Sequence, residues 1–376
     1  MPITRSVEKF VAVVICGLVA LPTGASASSD GAALLRKASR LSGLHARQAV
    51  PTATLAATRY DAAVRRAASR DYPRRLRDLD ARFYALLGLA PVGAPVRLLP
   101  RGPSGAWYDP ALRKLLLRGA RPPAPNRVIN ELVRALVDQD FGLRRIAGLR
   151  SRDRDAALAA QGIVEGTAAL ASGMRAPALH GGPLDRFLEL EAAAGLGPGR
   201  ALAAELRYLG GSRALATALR TFPQTTEQLL HVDKFLERER ALPVRLPSSV
   251  GVAKLTTSET FGELDVRNLL RAYRISDADV VAAGWGGGRI GLYLSPAGRY
   301  TAALELRWDT VVDAEKWRNA VPRFVASAFA AATRRDCPPL DRCWSAGTDL
   351  AAGVLGNRSV LVSGPGADLV AAGLLG

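Results

Sequence analysis

Residues 126–141 carry the most informative stretch of the chain, NRVINELVRALVDQDF. Its apolar residues recur three and four positions apart and therefore share one face of a helix; they are Ile129, Leu132, Val133, Leu136 and Val137. Prolines at positions 122, 123 and 125 precede the stretch and mark its start. We predict an amphipathic helix over about residues 126–141 whose polar positions are 130, 131, 134 and 138.

The surrounding sequence predicts a protein of class α+β. Trp107–Pro110 and Lys114–Arg118 are typical of a short hairpin before this helix, and Val96–Leu99 is expected as a further strand. Residues 31–88 are expected to be mostly helical, and more helices are predicted over about 153–172, 183–194, 199–220 and 225–238. Beyond residue 243 a mixed α/β part is expected, with helices near 260–273, 277–283 and 312–333 and strands near 288–295, 300–308 and 359–363.

The N-terminus has the three parts of a secretory signal. Arg5 and Lys9 are followed by the apolar run Phe10–Leu21 and by a small-x-small sequence that ends at Ala27. We predict cleavage after Ala27 and a location outside the cytoplasm, either secreted or in the cell envelope. The alternative is an uncleaved anchor, although the apolar run is short for a membrane span. No later stretch is apolar enough to cross a bilayer, so no transmembrane span is expected in the mature chain.

The composition favours an ordinary globular protein with a basic surface. The hydrophobic fraction is 48%, as in folded domains, and the formal net charge is +17. The basic residues are spread along the chain and are not gathered in an aromatic-interleaved patch, which argues against a nucleic-acid partner. Attraction to anionic wall polymers or lipid headgroups is the functional alternative to a merely solvated basic surface.

The cysteines agree with export. Removal of Cys16 with the signal leaves Cys337 and Cys343, which lie close together in the sequence. In an oxidising compartment two such cysteines predict a local disulfide bond.

The sequences NELVRALVDQDF at 130–141 and IVEGTA at 163–168 resemble a family of exported prokaryotic zincin-like proteins of the gluzincin type. The two helices of that family read H-E-L-T-H-A-L-Q-D-Q-H-F and L-V-E-G-x-A. Further blocks resemble the family in the same order, and they lie at 105–110, 223–231, 283–287 and 308–314. The resemblance covers roughly residues 80–325. It implies N-terminal helices over 28–90 after the signal at 1–27, a zincin-like core over 91–242 and a mixed C-terminal region over 243–376.

In the family pattern, two histidines four positions apart and a glutamate from the later helix bind zinc, and a glutamate beside the first histidine polarises a bound water. The resemblance places Asn130 and Arg134 at the histidine positions, Glu131 at the base position and Glu165 at the third ligand position. An asparagine amide is a poor zinc ligand, and a protonated guanidinium has no lone pair to offer. We therefore expect that zinc, the cofactor of the family, has been lost here.

The resemblance also implies that the two helices pack together. Because two facing carboxylates without a metal would repel each other, we predict that Arg134 supplies the positive charge that zinc once gave. Asn130 would fill the other ligand position as a neutral donor and acceptor. Without the resemblance, the polar residues of the helix would form a solvated face with favourable pairs of Arg134 with Glu131 and Asp138.

These observations predict a non-catalytic pseudopeptidase that binds a peptide or a cell-envelope partner. One alternative is an active hydrolase whose metal is held by Glu131, Glu165 and either Asp138 or Asp140. A second alternative is a basic envelope protein that binds anionic wall polymer. His231 would stabilise an oxyanion in a metal-dependent enzyme; without zinc we expect it to make a helix-capping or structural contact.

Overall fold

The computed structural model describes residues 29–91, 94, 96, 105–119, 121–150 and 152–376. The predicted signal at 1–27 and residues 97–99 of the predicted strand Val96–Leu99 lie outside the described residues.

The first part of the described chain is mainly helical. Its helices are α1 (Ser29–Ser42), α2 (Ala57–Asp71), α3 (Arg74–Leu86), α4 (Pro125–Phe141), α5 (Arg144–Arg150), α6 (Arg154–Ser172), α7 (Pro183–Ala192), α8 (Arg200–Thr221), α9 (Thr226–Leu230) and α10 (Val232–Glu237). A π-helical turn at Gly195–Gly199 lies between α7 and α8. Three strands form a small sheet in the order β1-β3-β2, namely β1 (Thr52–Leu55), β2 (Ala106–Asp109) and β3 (Lys114–Arg118). The β2–β3 hairpin agrees with the sequence, whereas β1, which pairs parallel to β3, was not predicted.

The helices α4 and α6 form the centre of this part. Pro125 occupies the first turn of α4, and Gly142 follows its end with a φ of 74°. The side chain of Asp153 caps α6 by accepting a hydrogen bond from the backbone N–H of Ala156. The predicted apolar face of α4 is buried in one core with Ile163 and Val164 of α6. Each such aliphatic side chain contributes about 1.5–3 kcal/mol when fully buried, so this packing fixes the position of the polar residues between the helices.

The C-terminal part is an eight-stranded antiparallel sheet with helices on both faces. The strands are β4 (Ser249–Val250), β5 (Ala253–Thr260), β6 (Trp285–Leu294), β7 (Tyr300–Trp308), β8 (Thr333–Arg335), β9 (Arg342–Ser345), β10 (Asp349–Leu355) and β11 (Arg358–Ser363). Their order is β4-β5-β6-β7-β11-β10-β9-β8. The helices are α11 (Glu263–Ala272), α12 (Ala278–Ala282), α13 (Val311–Ala328) and α14 (Ala367–Leu375).

Alternation along β7 explains how both faces of this sheet are covered. Leu304 and Leu306 face the core that contains Trp317 and Phe324 of α13, while Ala303 faces the core that contains Val370 of α14. The class α+β is confirmed. The prediction differed in detail. The strands β4, β5 and β8–β10 were missed, and the helix predicted over 225–238 is two short helices that meet at His231.

Cys337 and Cys343 form a disulfide bond, as predicted. Among the described residues, no helix has both the length and the apolar character that a membrane span needs.

Candidate functional site

The carboxylate of Glu131 is held from two sides at the junction of α4 with the small sheet. Arg134 Nη1, one turn later on α4, donates to Glu131 Oε2 at 2.9 Å, and the backbone N–H of Tyr108 on β2 donates to the same oxygen at 2.8 Å. The Arg134 and Glu131 side chains are only 12% and 11% exposed. Glu131 and Asp138 are buried, so the face that carries them is not solvated.

Charge at this position is balanced by the arginine. Burial lowers the pKa of Arg134, but the negative charges of Glu131 and Glu165 and the hydrogen bond that Arg134 donates to Glu131 raise it, and the net pKa lies above the ordinary value. Burial and the nearby Glu165 raise the pKa of Glu131, against the opposing effects of Arg134 and the Tyr108 N–H. Glu131 thus pairs directly with the buried guanidinium, whereas Glu165 acts on it only through its charge.

The two remaining ligand positions are engaged in other contacts. Asn130 Nδ2 donates to Ser172 Oγ at 3.3 Å, and Glu165 Oε1 accepts from Gln161 Nε2 at 2.7 Å. Glu165 also lies against the π-helical turn, because a Cβ placed on Gly195 would come within 2.3 Å of Glu165 Cβ. Glycine at position 195 permits this close approach. The structure thus brings Asn130, Glu131, Arg134 and Glu165 to the α4–α6 contact.

This set of donors does not fit a zinc ion. The guanidinium of Arg134 stays protonated and lies 2.9 Å from the carboxylate at the base position, where it would repel a dication. The amide of Asn130 is a poor zinc ligand and is bonded to Ser172. The alternative metal set fits no better. Asp138 accepts from Tyr108 Oη and from the Leu143 N–H, and Asp140 pairs with Arg47.

A second charged cluster lies between the helical part and the C-terminal sheet. Lys234 Nζ on α10 contacts three carboxylates, at 2.5 Å from Glu227, 3.0 Å from Glu239 and 2.7 Å from Asp309. These carboxylate oxygens lie within 4.8 Å of one another, so the ammonium occupies the position that a bound cation would need. Burial raises the pKa of Glu227 to about 7, although Lys234 opposes this shift.

His231 belongs to the neighbourhood of this second cluster. Its Nε2 lies 2.9 Å from Glu263 Oε1 at the start of α11, and this hydrogen bond raises the pKa of His231. His231 precedes α10, but its side chain makes no capping hydrogen bond. Its contact with Glu263 is therefore a structural contact between α10 and α11 and not a helix cap. Sequence reasoning missed Lys234, Glu239 and Asp309 as a group. The available signal was that Glu227 and Asp309 each lie within a block of the family resemblance.

Buried acids also join α6 to α9 and α11. Thr226 donates to Asp155 twice, from its N–H at 2.9 Å and from its hydroxyl at 2.5 Å. Burial raises the pKa of Asp155 to about 8. Next to it, Arg154 pairs with Asp265 at 2.5 Å and with Glu191 at 2.8 Å.

A pocket of about 180 Å³ opens beside α4 on the side of the small sheet. Its polar lining comes from the segment before β1, from the β2–β3 turn and from α4, and includes Arg47, Gln48, Tyr108, Arg113, Asp138 and Gln139. Tyr108 connects this pocket to the ion pair, because its backbone N–H bonds Glu131 while its hydroxyl bonds Asp138.

One family model matches part of the chain. It describes a domain of unknown function (DUF8575) and matches residues 251–373, which contain β5–β11, α11–α13 and most of α14. No curated protein and no solved structure matches the chain. The matched span excludes α4 and α6, so the resemblance to zincin-like proteins remains a prediction.

Proposed function

We propose that this protein is an extracytoplasmic, non-catalytic relative of zincin-like peptidases that binds a peptide or a cell-envelope component. The observation that carries the proposal is the buried ion pair of Arg134 with Glu131 at 2.9 Å. It lies where the family pattern has a metal-binding histidine beside the glutamate that acts as base.

Two features of the ion pair argue against metal-assisted hydrolysis. A base must be free to take a proton from water, but Glu131 accepts hydrogen bonds from Arg134 and from the Tyr108 N–H. A metal ligand must offer a lone pair, and Arg134 has none. What remains is a helix pair with a pocket beside it, and these features suit binding more than hydrolysis.

The metal content of the protein tests the non-catalytic part. Purified wild type is expected to contain no stoichiometric zinc and to cleave no peptide. The Asn130→His, Arg134→His double variant is expected to bind zinc, because it restores two imidazole ligands opposite Glu165. Arg127→His, which places a histidine on an exposed position of the same helix, is the control and should bind none. Stoichiometric zinc in the wild type would contradict the proposal.

Cosedimentation tests the binding part. Wild-type protein is mixed with purified cell walls, and its retention of a random peptide pool is measured separately. Retention of peptide that persists at high salt supports the proposal. Wall binding that disappears as salt screens exposed charges would favour the basic envelope protein instead.

A further inference from the structure

We propose that the pocket beside α4 binds the C-terminal residue of a peptide and that Arg113 holds its carboxylate. This inference rests on the proposed binding function and names the part of the partner that is recognised.

The walls of the pocket are fixed by α4. Gln139 Oε1 accepts from the backbone N–H of Arg47 at 3.0 Å, and Gln139 Nε2 donates to the carbonyl of Gln48 at 3.0 Å. Through these two bonds the Gln139 side chain holds the backbone of the segment before β1 against the helix. A pocket with such walls is formed before a ligand arrives, which reduces the entropy lost on binding.

The floor of the pocket is polar but already hydrogen-bonded. Tyr108 Oη donates to Asp138 Oδ2 at 2.7 Å, and Asp138 Oδ1 accepts from the Leu143 N–H at 2.7 Å. Both oxygens of the acid are thus engaged by neutral donors. Each oxygen of Asp138 has a further lone pair that can accept a hydrogen bond, which favours a ligand with an N–H group next to its anionic group.

The positive charge that faces this floor comes from the hairpin turn. Arg113 lies between β2 and β3 with a φ of 49°, in the left-handed region that is uncommon for residues other than glycine. Its charge acts on the Tyr108 hydroxyl and opposes the increase in pKa that burial and Asp138 cause there. Among the residues that the structure describes, Arg113 has no carboxylate partner, whereas Arg47 pairs through Nε with Asp140 at 2.6 Å.

The guanidinium, the hydrogen-bond acceptor and the apolar wall of the pocket suit the C-terminal residue of a peptide better than a segment of wall polymer. A guanidinium binds a carboxylate through two parallel N–H donors. The amide N–H of the same residue would face Asp138, and Ala49, Val50 and Pro51 offer an apolar wall to its side chain. The pocket volume of about 180 Å³ is below the roughly 300–1,000 Å³ that is usual for sites of drug-sized ligands, which favours a small group such as one terminal residue.

The test compares N-acetyl-Ala-Ala-Val with its C-terminal amide by isothermal titration calorimetry on the purified protein. The free acid is expected to bind at least about tenfold more tightly than the amide, since a charge-assisted hydrogen bond is lost in the amide. Arg113→Ala should weaken binding of the acid by a similar factor, and Arg113→Lys by less. Arg127→Ala, an exposed arginine on α4 that does not line the pocket, should leave the affinity unchanged.

Three results would overturn the inference. They are equal affinity for the acid and the amide, unchanged affinity in a folded Arg113→Ala variant, and displacement of the peptide by equimolar inorganic phosphate, which would indicate a general anion site. The thermal melting curve of each variant establishes that it is folded. The zinc measurement is independent of these results, so the failure of either proposal can be recognised separately.

Discussion

The central residue of the candidate site is Arg134, whose buried charge pairs with the carboxylate of Glu131. Its guanidinium contacts Glu131 directly, and Glu165 raises its pKa from the neighbouring helix. A buried ion pair adds little net stability, because desolvation of the two ions offsets their attraction. Removal of one partner is different, since the other charge then stays buried without compensation.

Arg134→Ala is therefore expected to reduce the free energy of unfolding by about 3 kcal/mol. The joint replacement Glu131→Gln, Arg134→Met should cost clearly less, because it leaves no unpaired charge. Urea denaturation monitored by circular dichroism measures both effects, with the exposed Arg127→Ala as control. If Arg134→Ala were as stable as Arg127→Ala, the ion pair would not have the role assigned to it.

At the scale of elements, the close contacts of α6 with its neighbours depend on glycines and on a buried acid of α6. Gly166 of α6 allows the π-helical turn to approach, since a Cβ on Gly166 would come within 2.1 Å of the Gly199 carbonyl carbon. Gly162 makes room for Leu229 of α9, whose Cδ2 would lie 2.4 Å from a Cβ at that position. The start of the same helix carries Asp155, whose hydrogen bonds from Thr226 connect α6 to α9. The middle of α6 thus carries Glu165 of the candidate site, whereas its start is attached to α9 through Asp155 and to α11 of the C-terminal part through Arg154.

Because the pKa of Asp155 is raised in the folded protein, we expect the protein to become less stable as the pH rises. Its pKa is raised from 3.8 to about 8 in the folded protein, so between these values the folded state keeps a proton that the unfolded state has released. The contribution of Asp155 to stability is complete below about pH 4 and is lost as the pH approaches about 8. The slope is at most about 1.4 kcal/mol per pH unit.

Urea denaturation at several pH values, with wild type and Asp155→Asn, measures this effect. Asparagine resembles the protonated acid, so the variant should show a weaker decrease than wild type over the same range. Glu227 also has a raised pKa and contributes with the same sign in both proteins, so the difference between the curves isolates Asp155. Parallel curves would mean that Asp155 is ionised in the folded state.

At the scale of the whole molecule, Lys234 connects the helical part to the C-terminal sheet. Glu227, Lys234 and Glu239 come from the end of the helical part, whereas Asp309 follows β7 within the span matched by the domain of unknown function. Glu227 is fully buried, so the ammonium compensates a charge that water cannot reach.

Lys234→Met should lower the free energy of unfolding by about 3 kcal/mol, because it leaves three carboxylates close together and one of them buried. Addition of Glu227→Gln should recover part of the loss, since it removes the buried charge, and the difference is a double-mutant coupling energy. The measurement is again urea denaturation. Lys254→Met, at an exposed lysine, should change stability by less than about 0.5 kcal/mol. If Lys234→Met lowered the free energy of unfolding equally with and without Glu227→Gln, the unpaired charge of Glu227 would not be the cause of the loss.

The amino-acid sequence by itself determined the local features of this protein. The spacing of apolar residues predicted α4 and α6 to within a residue or two of their ends, because amphipathic periodicity and terminal prolines and caps act over a few positions. The short separation of Cys337 from Cys343 predicted their disulfide for the same reason. The ion pair of Arg134 with Glu131 could also be predicted from the sequence, since side chains three positions apart lie next to each other on a helix.

Only the tertiary structure decided which distant residues meet. Lys234 and Asp309 lie 75 positions apart, and Arg47 and Asp140 lie 93 apart, so no local pattern could place them together. The strands β1, β8 and β9, which have three or four residues each, were missed for a related reason, because their pairing partners and not their own periodicity make them strands. The pocket beside α4 depends on three separate segments, and its shape exists only after the apolar faces of the helices and the small sheet have packed.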